Sequence, residues 1–231
     1  MSLLIVGSER SGTSAITTLL SIAADKKALD DPVYTWYLTP YIRMQRKVFS
    51  FRLFWDLNKY SIIKMPGFAI ILFYLKKMII REFKVVYIVR DPRDNVCSVI
   101  ERLNNGINGL YLNIHYLGGE FDNFEETIAF KWNMYINEGL KFQKRYPKRI
   151  MFIKYEDFVN DKTGTIKRIG DFSKLKTDIQ KIETLVDNQY RKAWSNKIGG
   201  KERYKKELSE EQINRIENIC GENMRKFGYM I

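Results

Sequence analysis

The sequence predicts a single α/β domain spanning residues 1–231, built on a central parallel β-sheet flanked by helices. Three observations predict it. An apolar strand at residues 3–6 runs into a polar, glycine-containing turn and then a helix over residues 13–23, the unit from which parallel sheets are built. A second, near-continuous apolar strand at residues 83–89 ends in Arg90-Asp91-Pro92-Arg93-Asp94 and again leads into a helix. Strands then alternate with helices along the chain, with no repeat, low-complexity tract or obvious linker between them.

Each element follows in order. Asp30-Asp31-Pro32 marks a break. Residues 34–57 are rich in aromatics and arginine, with helical spacing in places. Lys64-Met65-Pro66-Gly67 is a second break, and residues 68–80 read as a helix. Pro92 stands where a helix begins, and that helix continues through residues 95–103. Residues 104–119 are rich in Gly and Asn and read as a loop. A long amphipathic helix containing Trp132 covers residues 124–146, and a short strand follows at residues 150–153. Tyr155-Glu156-Asp157 comes next, then two or three helices and a Gly-Lys loop at residues 196–206. A last helix spans residues 209–227, with Ser209 and Gln212 forming a capping box.

Composition narrows the function classes. Lys plus Arg number 39 against 27 Asp plus Glu, a net charge of +12 that favours anionic partners. Cys97 and Cys220 are too few for a disulfide framework, and Cys97 reads as a small core residue. With His115 the single histidine, a zinc site has no ligand set. The apolar run at residues 1–7 is too short for a signal peptide, and the longest greasy stretch, 68–75, is about half a membrane span. The expectation is a soluble, cytoplasmic chain without a membrane span, and an N-terminal anchor outside this sequence is compatible with it.

Two motifs carry chemistry. The first turn, Gly7-Ser8-Glu9-Arg10-Ser11-Gly12-Thr13-Ser14, stands between a strand and a helix. Its glycines let backbone N–H groups point inward, the helix start adds partial positive charge, and Thr13 and Ser14 add hydroxyls, so it cradles a phosphate in P-loop-like fashion. A Walker A loop has lysine where Thr13 stands. Without that lysine a nucleoside triphosphate is disfavoured, and Arg10 supplies the loop cation instead. The second motif is Arg90 with Ser98 eight residues on and Arg102 one helical turn beyond. Two arginines converging on a hydroxyl suit a phosphate monoester.

These residues resemble the sulfotransferase family that uses 3′-phosphoadenosine 5′-phosphosulfate (PAPS), in a pattern nearest its Golgi-type and bacterial branches. Arg10-Ser11-Gly12-Thr13-Ser14 resembles the family's 5′-phosphosulfate loop, and Arg90 to Asp94 with Ser98 its 3′-phosphate motif. Tyr155-Glu156-Asp157 and the segment from Gly200-Lys201 to Phe227-Gly228-Tyr229 are similar to its later signatures, in the family's order. The resemblance implies transfer of a sulfuryl group from PAPS to a hydroxyl or amine, carbohydrate favoured, with release of adenosine 3′,5′-bisphosphate and no metal. Arg10, Ser11, Gly12, Thr13 and Ser14 would hold the phosphosulfate. Arg90, Ser98 and Arg102 would hold the 3′-phosphate, with Tyr155 near the nucleotide and Lys201 or Arg203 closing over it.

The resemblance also implies catalytic roles. A cation at the bridging oxygen lowers the barrier, and Arg10 is the first candidate. Lys64 is the second, because Lys64-Met65-Pro66 resembles a Lys-x-Pro active-site element. Asp31, twenty-one residues after Arg10, is the favoured base, with Asp30 beside it. His115 is a weaker alternative, since it follows the 3′-phosphate motif whereas the cytosolic branches place their histidine before it. Residues 34–59 and 104–119 are expected to shape the acceptor pocket, where Trp36, Tyr37, Trp55 and Tyr111 offer stacking surfaces. No nucleic-acid partner is expected, and oligomeric state stays open. The rival readings are a nucleotide-kinase-like phosphotransferase and an inactive basic glycan- or nucleic-acid-binding relative.

Overall fold

The computed structural model describes residues 1–32, 46–78, 82–105, 121, 123–188 and 202–230. In chain order the strands are β1 Ser2–Gly7, β2 Ala28–Asp30, β3 Ile62–Lys64, β4 Phe83–Val89 and β5 Ile150–Lys154. The helices are α1 Thr13–Ala24, α2 Arg46–Lys59, α3 Leu72–Met78, α4 Pro92–Asn104 and α5 Phe124–Arg145. They continue as α6 Tyr155–Asn160, α7 Lys162–Ser173, α8 Gln180–Asn188, α9 Tyr204–Glu207 and α10 Glu210–Lys226. The described strands form one all-parallel sheet in the order β2-β3-β1-β4-β5.

The sheet is buried on both faces, which is why β1 and β4 read as apolar runs rather than alternating ones. Successive side chains still point to opposite sides. Leu4, Val6, Val85, Tyr87 and Val89 enter the core under α2 to α5 and α10, while Leu3, Ile5, Val86 and Ile88 enter the one under α1 and α6 to α8. Thus α1 leaves β1 on one face of the sheet and α4 leaves the adjacent β4 on the other. The crevice between two such departures is the usual ligand position in open α/β sheets.

The expected central strands, the helices at residues 13–23, 95–103, 124–146 and 209–227, and the Ser209–Gln212 capping box are all present. Three readings are corrected. The breaks at Asp30 and Lys64 each close a strand, β2 and β3, which pair as Ala28↔Ile62 and Asp30↔Lys64. With only three residues each, they are too short to show a period. The helix expected at residues 68–80 opens as a 3₁₀ segment, Pro66–Ile71, with Pro66 in its first turn, and only then becomes α3. The Gly-Lys loop contains α9, and its entry is fixed from α4: Asp94 accepts hydrogen bonds from the N–H groups of Glu202 (2.9 Å) and Tyr204 (3.1 Å).

Candidate active site

The turn after β1 is folded tightly by its two glycines. Gly7 has φ +151°, and a Cβ there would stand 2.4 Å from the Ile88 carbonyl oxygen. Gly12 has φ +87°, and its Cβ would stand 2.4 Å from the Tyr155 ring. Between them Arg10 adopts the left-handed region at φ 65°. Gly12 caps α1 with no side-chain hydrogen bond, and no acidic residue stands in the first turn. The first amides of α1 therefore face the crevice with the positive end of the helix dipole. Thr13 is buried and Ser14 exposed at this helix start.

The end of β4 meets this turn. Arg90 is 4% exposed, and its Nη1 donates to the Arg10 carbonyl oxygen at 3.0 Å. Its guanidinium lies 4.7 Å from the centre of the Tyr155 ring. Its Nε and Nη2, and the Ser11 hydroxyl, are buried with no hydrogen-bond partner among the described residues. Buried donors left without partners cost about 1–3 kcal/mol each, more when charged, so folded proteins keep few of them. Ser98, 3% exposed, accepts a hydrogen bond from Arg10 Nε at 3.2 Å. The loop residue expected at the phosphosulfate thus touches the residue expected at the 3′-phosphate. Arg102 sits one helical turn beyond Ser98 on α4, half-buried. Burial raises the Tyr155 phenol above its ordinary value, although Arg90 opposes the shift.

The second candidate cation and the candidate bases Asp31 and Asp30 meet at one place. Lys64 is the last residue of β3 and is 5% exposed. Its ammonium stands 2.8 Å from Asp30 Oδ1 and 2.6 Å from Asp31 Oδ2. The cause is register: Asp30 pairs with Lys64 across the strands, and the Asp31 N–H donates to the Lys64 carbonyl at 3.0 Å. Asp31 takes φ 40° to turn its carboxylate back. Burial raises the pKa of Asp31, the Lys64 charge and hydrogen bond oppose this, and Asp30 and Glu9 add to the rise. A half-buried carboxyl held above its ordinary range is a better base than a solvated one.

Sequence reading missed the supports of the turn. Asn95 is 0% exposed; its Nδ2 donates to the Glu9 carbonyl at 2.6 Å and its Oδ1 accepts from Ser8 Oγ at 3.1 Å. Lys131 of α5 pairs with Glu9 Oε1 at 2.9 Å. Nothing local signals these contacts, which join residues 86 to 122 positions apart.

The rest of the Arg90-to-Asp94 motif serves the C-terminal segment. Arg93 donates to both oxygens of Asp91 (3.0 and 2.6 Å), to Glu217 Oε1 (2.7 Å) and to the Tyr229 carbonyl (3.0 Å). It also stacks on Tyr204 at 4.1 Å. Glu156 receives the Asp91 N–H at 3.1 Å and the Tyr229 hydroxyl at 2.7 Å. Burial and the neighbouring Glu156 push that hydroxyl far above its ordinary pKa. Arg203, expected over the nucleotide, bonds instead to Glu101 and Glu207 at 2.7–2.9 Å, because α9 packs beside the outer end of α4.

Lys201, His115, Trp36, Tyr37 and Tyr111 lie outside the described residues. Trp55 is placed away from the turn: the Leu57 carbonyl accepts from Ser2 Oγ at 2.6 Å, at the opposite end of β1. Among the described residues no cluster of three or more His, Cys, Asp or Glu is arranged to hold a metal ion, and no helix is long and apolar enough to cross a membrane.

The sequence matches the family described as Sulfotransferase domain over residues 1–228. Among solved structures the fold is similar to mouse sulfotransferase SULT7A1 complexed with PAP, with TM-score 0.62 and 13% identity over 97% of this chain and 84% of that one. It is similar also to sulfotransferase STF9 from Mycobacterium avium, with TM-score 0.59 and 13% identity over 97% and 76%. A retinol dehydratase in complex with retinol and PAP gives TM-score 0.53 and 17% identity over 96% and 81%. No curated protein sequence matches the chain.

Proposed function

From the premise that this chain belongs to the sulfotransferase domain family, an enzyme family, we propose that it transfers a sulfuryl group from PAPS to a hydroxyl of a carbohydrate acceptor and releases adenosine 3′,5′-bisphosphate. The observation that carries the donor assignment is the set of buried, unpartnered donors, Ser11 Oγ with Arg90 Nε and Nη2, beside the uncapped start of α1. They suit an anionic group on each side of Arg10. The PAP in two of the similar structures supports the same donor.

The donor, when bound, supplies a sulfuryl group whose departure leaves negative charge on the oxygen bridging sulfur and phosphorus. Arg10 and the amides of residues 12–14 stabilise that charge, an electrostatic effect that strengthens in a water-poor crevice. Ser98 orients Arg10 from below, and Arg90 fixes the Arg10 carbonyl. Asp31 receives the acceptor's proton, and Lys64 opposes the rise that burial gives its pKa and so favours the charged carboxylate. In this arrangement Lys64 is a positioning residue rather than a ligand of the sulfuryl group.

A carbohydrate acceptor is supported by the exposed carboxylate beside Asp31. The Asp30 side chain is 57% exposed and offers acceptors for sugar hydroxyls, while Lys64 and Lys131 stay buried in their ion pairs.

The test is thermal shift with adenosine 3′,5′-bisphosphate against ATP with Mg²⁺, because a ligand selective for the folded state raises the melting temperature. Stabilisation by the bisphosphate is expected, and stabilisation by ATP–Mg²⁺ alone would sink the proposal. Arg10→Ala is then expected to lower turnover with labelled PAPS by about a hundredfold or more. Unchanged turnover would remove Arg10 from the mechanism.

A further inference from the structure

The two sides of α2 are of opposite kinds. Leu53 and Leu57 are buried in the core at 0% and 1% exposure, with Asp56 beside them at 3%. On the outward side Phe51, Phe54 and Trp55 are 70%, 47% and 59% exposed. Helical spacing puts Phe51 and Trp55 one turn apart on one line, with Phe54 adjoining. Trp132, by contrast, is 1% exposed. Apolar side chains of this size grouped on one exposed face mark an interaction surface.

The charge around this face identifies what it meets. The helix carries Arg46, Lys47, Arg52 and Lys59 against a single acid, Asp56, and that acid is on the buried side. Arg52 and Lys59 are exposed beside the aromatics, Arg52 while its Nε stands 3.8 Å from Asp56. The whole chain carries +12. A second copy on this face would bring these cations against their own images. Phe and Trp settle into the headgroup boundary of a bilayer, and flanking Lys and Arg are drawn to anionic headgroups.

We propose that the outward face of α2 docks the protein onto the surface of an anionic lipid bilayer. Attachment is peripheral, through the aromatic side chains, with the basic residues setting the lipid preference. The C-terminal end of α2 lies beside Ser2, at the end of β1 away from the donor turn, with roughly 17 Å of strand between them.

The experiment is co-sedimentation of the full chain with vesicles of phosphatidylcholine alone and of phosphatidylcholine with phosphatidylserine, run beside gel filtration without lipid. The chain is expected to sediment with the phosphatidylserine vesicles and to be released by high salt. Phe51→Ser with Trp55→Ser is expected to weaken that partition by more than about tenfold, since each burial of an aromatic side chain contributes that order of affinity. Both residues are outward, so the melting temperature of the double variant should match the parent and report that it is folded. Arg52→Glu with Lys59→Glu should remove the preference for phosphatidylserine. The proposal is overturned by no sedimentation of the parent chain, or by full sedimentation of the aromatic double variant. It is also overturned by a dimer in gel filtration that the aromatic variant splits, which would make a second copy the occupant.

Discussion

Arg90 and Arg93 stand three residues apart in one motif and behave in opposite ways. Arg93 is saturated: Asp91, Glu217 and the Tyr229 carbonyl take its N–H groups and Tyr204 takes its face. Arg90 gives one N–H to the Arg10 carbonyl, and its Nε and Nη2 have no partner among the described residues. Both are nearly buried, at 9% and 4% exposure, so burial does not separate them. Hydrogen-bond satisfaction does. The saturated arginine holds α9 and α10 to the start of α4, and the unsatisfied one faces the crevice between β1 and β4. A buried cation with unused donors is costly unless something anionic visits it, and that reads as a ligand site.

Mutation can break this contrast. The largest effect is expected at Arg93. Arg93→Ala strands Asp91 and Glu217 without their partner, and breaking a buried ion pair typically costs about 3–5 kcal/mol. Thermal unfolding should show a fall of many degrees, and an unchanged melting temperature would mean that the clasp is not structural. Arg90→Ala should do the reverse. Stability should change little, because unsatisfied donors leave with the side chain, while affinity for adenosine 3′,5′-bisphosphate in calorimetry drops by about 1.5–3 kcal/mol. Equal losses of stability and affinity in both variants would erase the distinction.

Two smaller effects sharpen it. Asn95→Ala removes two hydrogen bonds under the turn, at Ser8 and Glu9, and should cost about 1–2 kcal/mol of stability while raising KM for the donor more than it lowers kcat. A pure kcat effect would assign Asn95 another role. Lys64→Gln removes both influences that lower the Asp31 pKa while its burial remains. The Asp31 pKa then rises further, the carboxyl stays protonated to higher pH, and the acidic limb of the rate–pH profile should move to higher pH. A limb that stays in place would mean that Asp31 is not the titrating base.

Much of the fold was legible because its signals are local. The apolar runs of β1 and β4, the Gly-Ser turn and Pro92 at the start of α4 each declare themselves within a few residues. β2 and β3 did not, because three residues cannot display a period, and their identity comes from the pairing of Asp30 with Lys64. The candidate site divides along the same line. Arg10, Ser11, Gly12, Arg90, Ser98 and Tyr155 were legible from motif order, and the structure gathers them around one crevice. Lys64 and Asp31 were read as separate catalytic candidates, and sheet register makes them one ion pair. Asn95 and Lys131 were invisible, since an asparagine or lysine on a helix carries no mark of the distant backbone or carboxylate it will meet.

The sequence by itself determined the α/β class, the strand-turn-helix units and the residue types gathered at the turn after β1. These depend on burial period, glycine and proline placement and charge, all of which act over a turn or a strand. Only the tertiary structure decided which arginine of the motif is used up in holding the C-terminal helix and which keeps unpartnered donors. It also decided that Asp31 is held by a lysine from the neighbouring strand, and that the aromatics of α2 face outward. The physical reason is the range of the interaction. The deciding partners lie 33 residues apart for Lys64 and Asp31, 80 for Arg90 and Arg10 and 136 for Arg93 and Tyr229, so whether a polar group ends satisfied is settled largely by packing rather than by its neighbours in the chain.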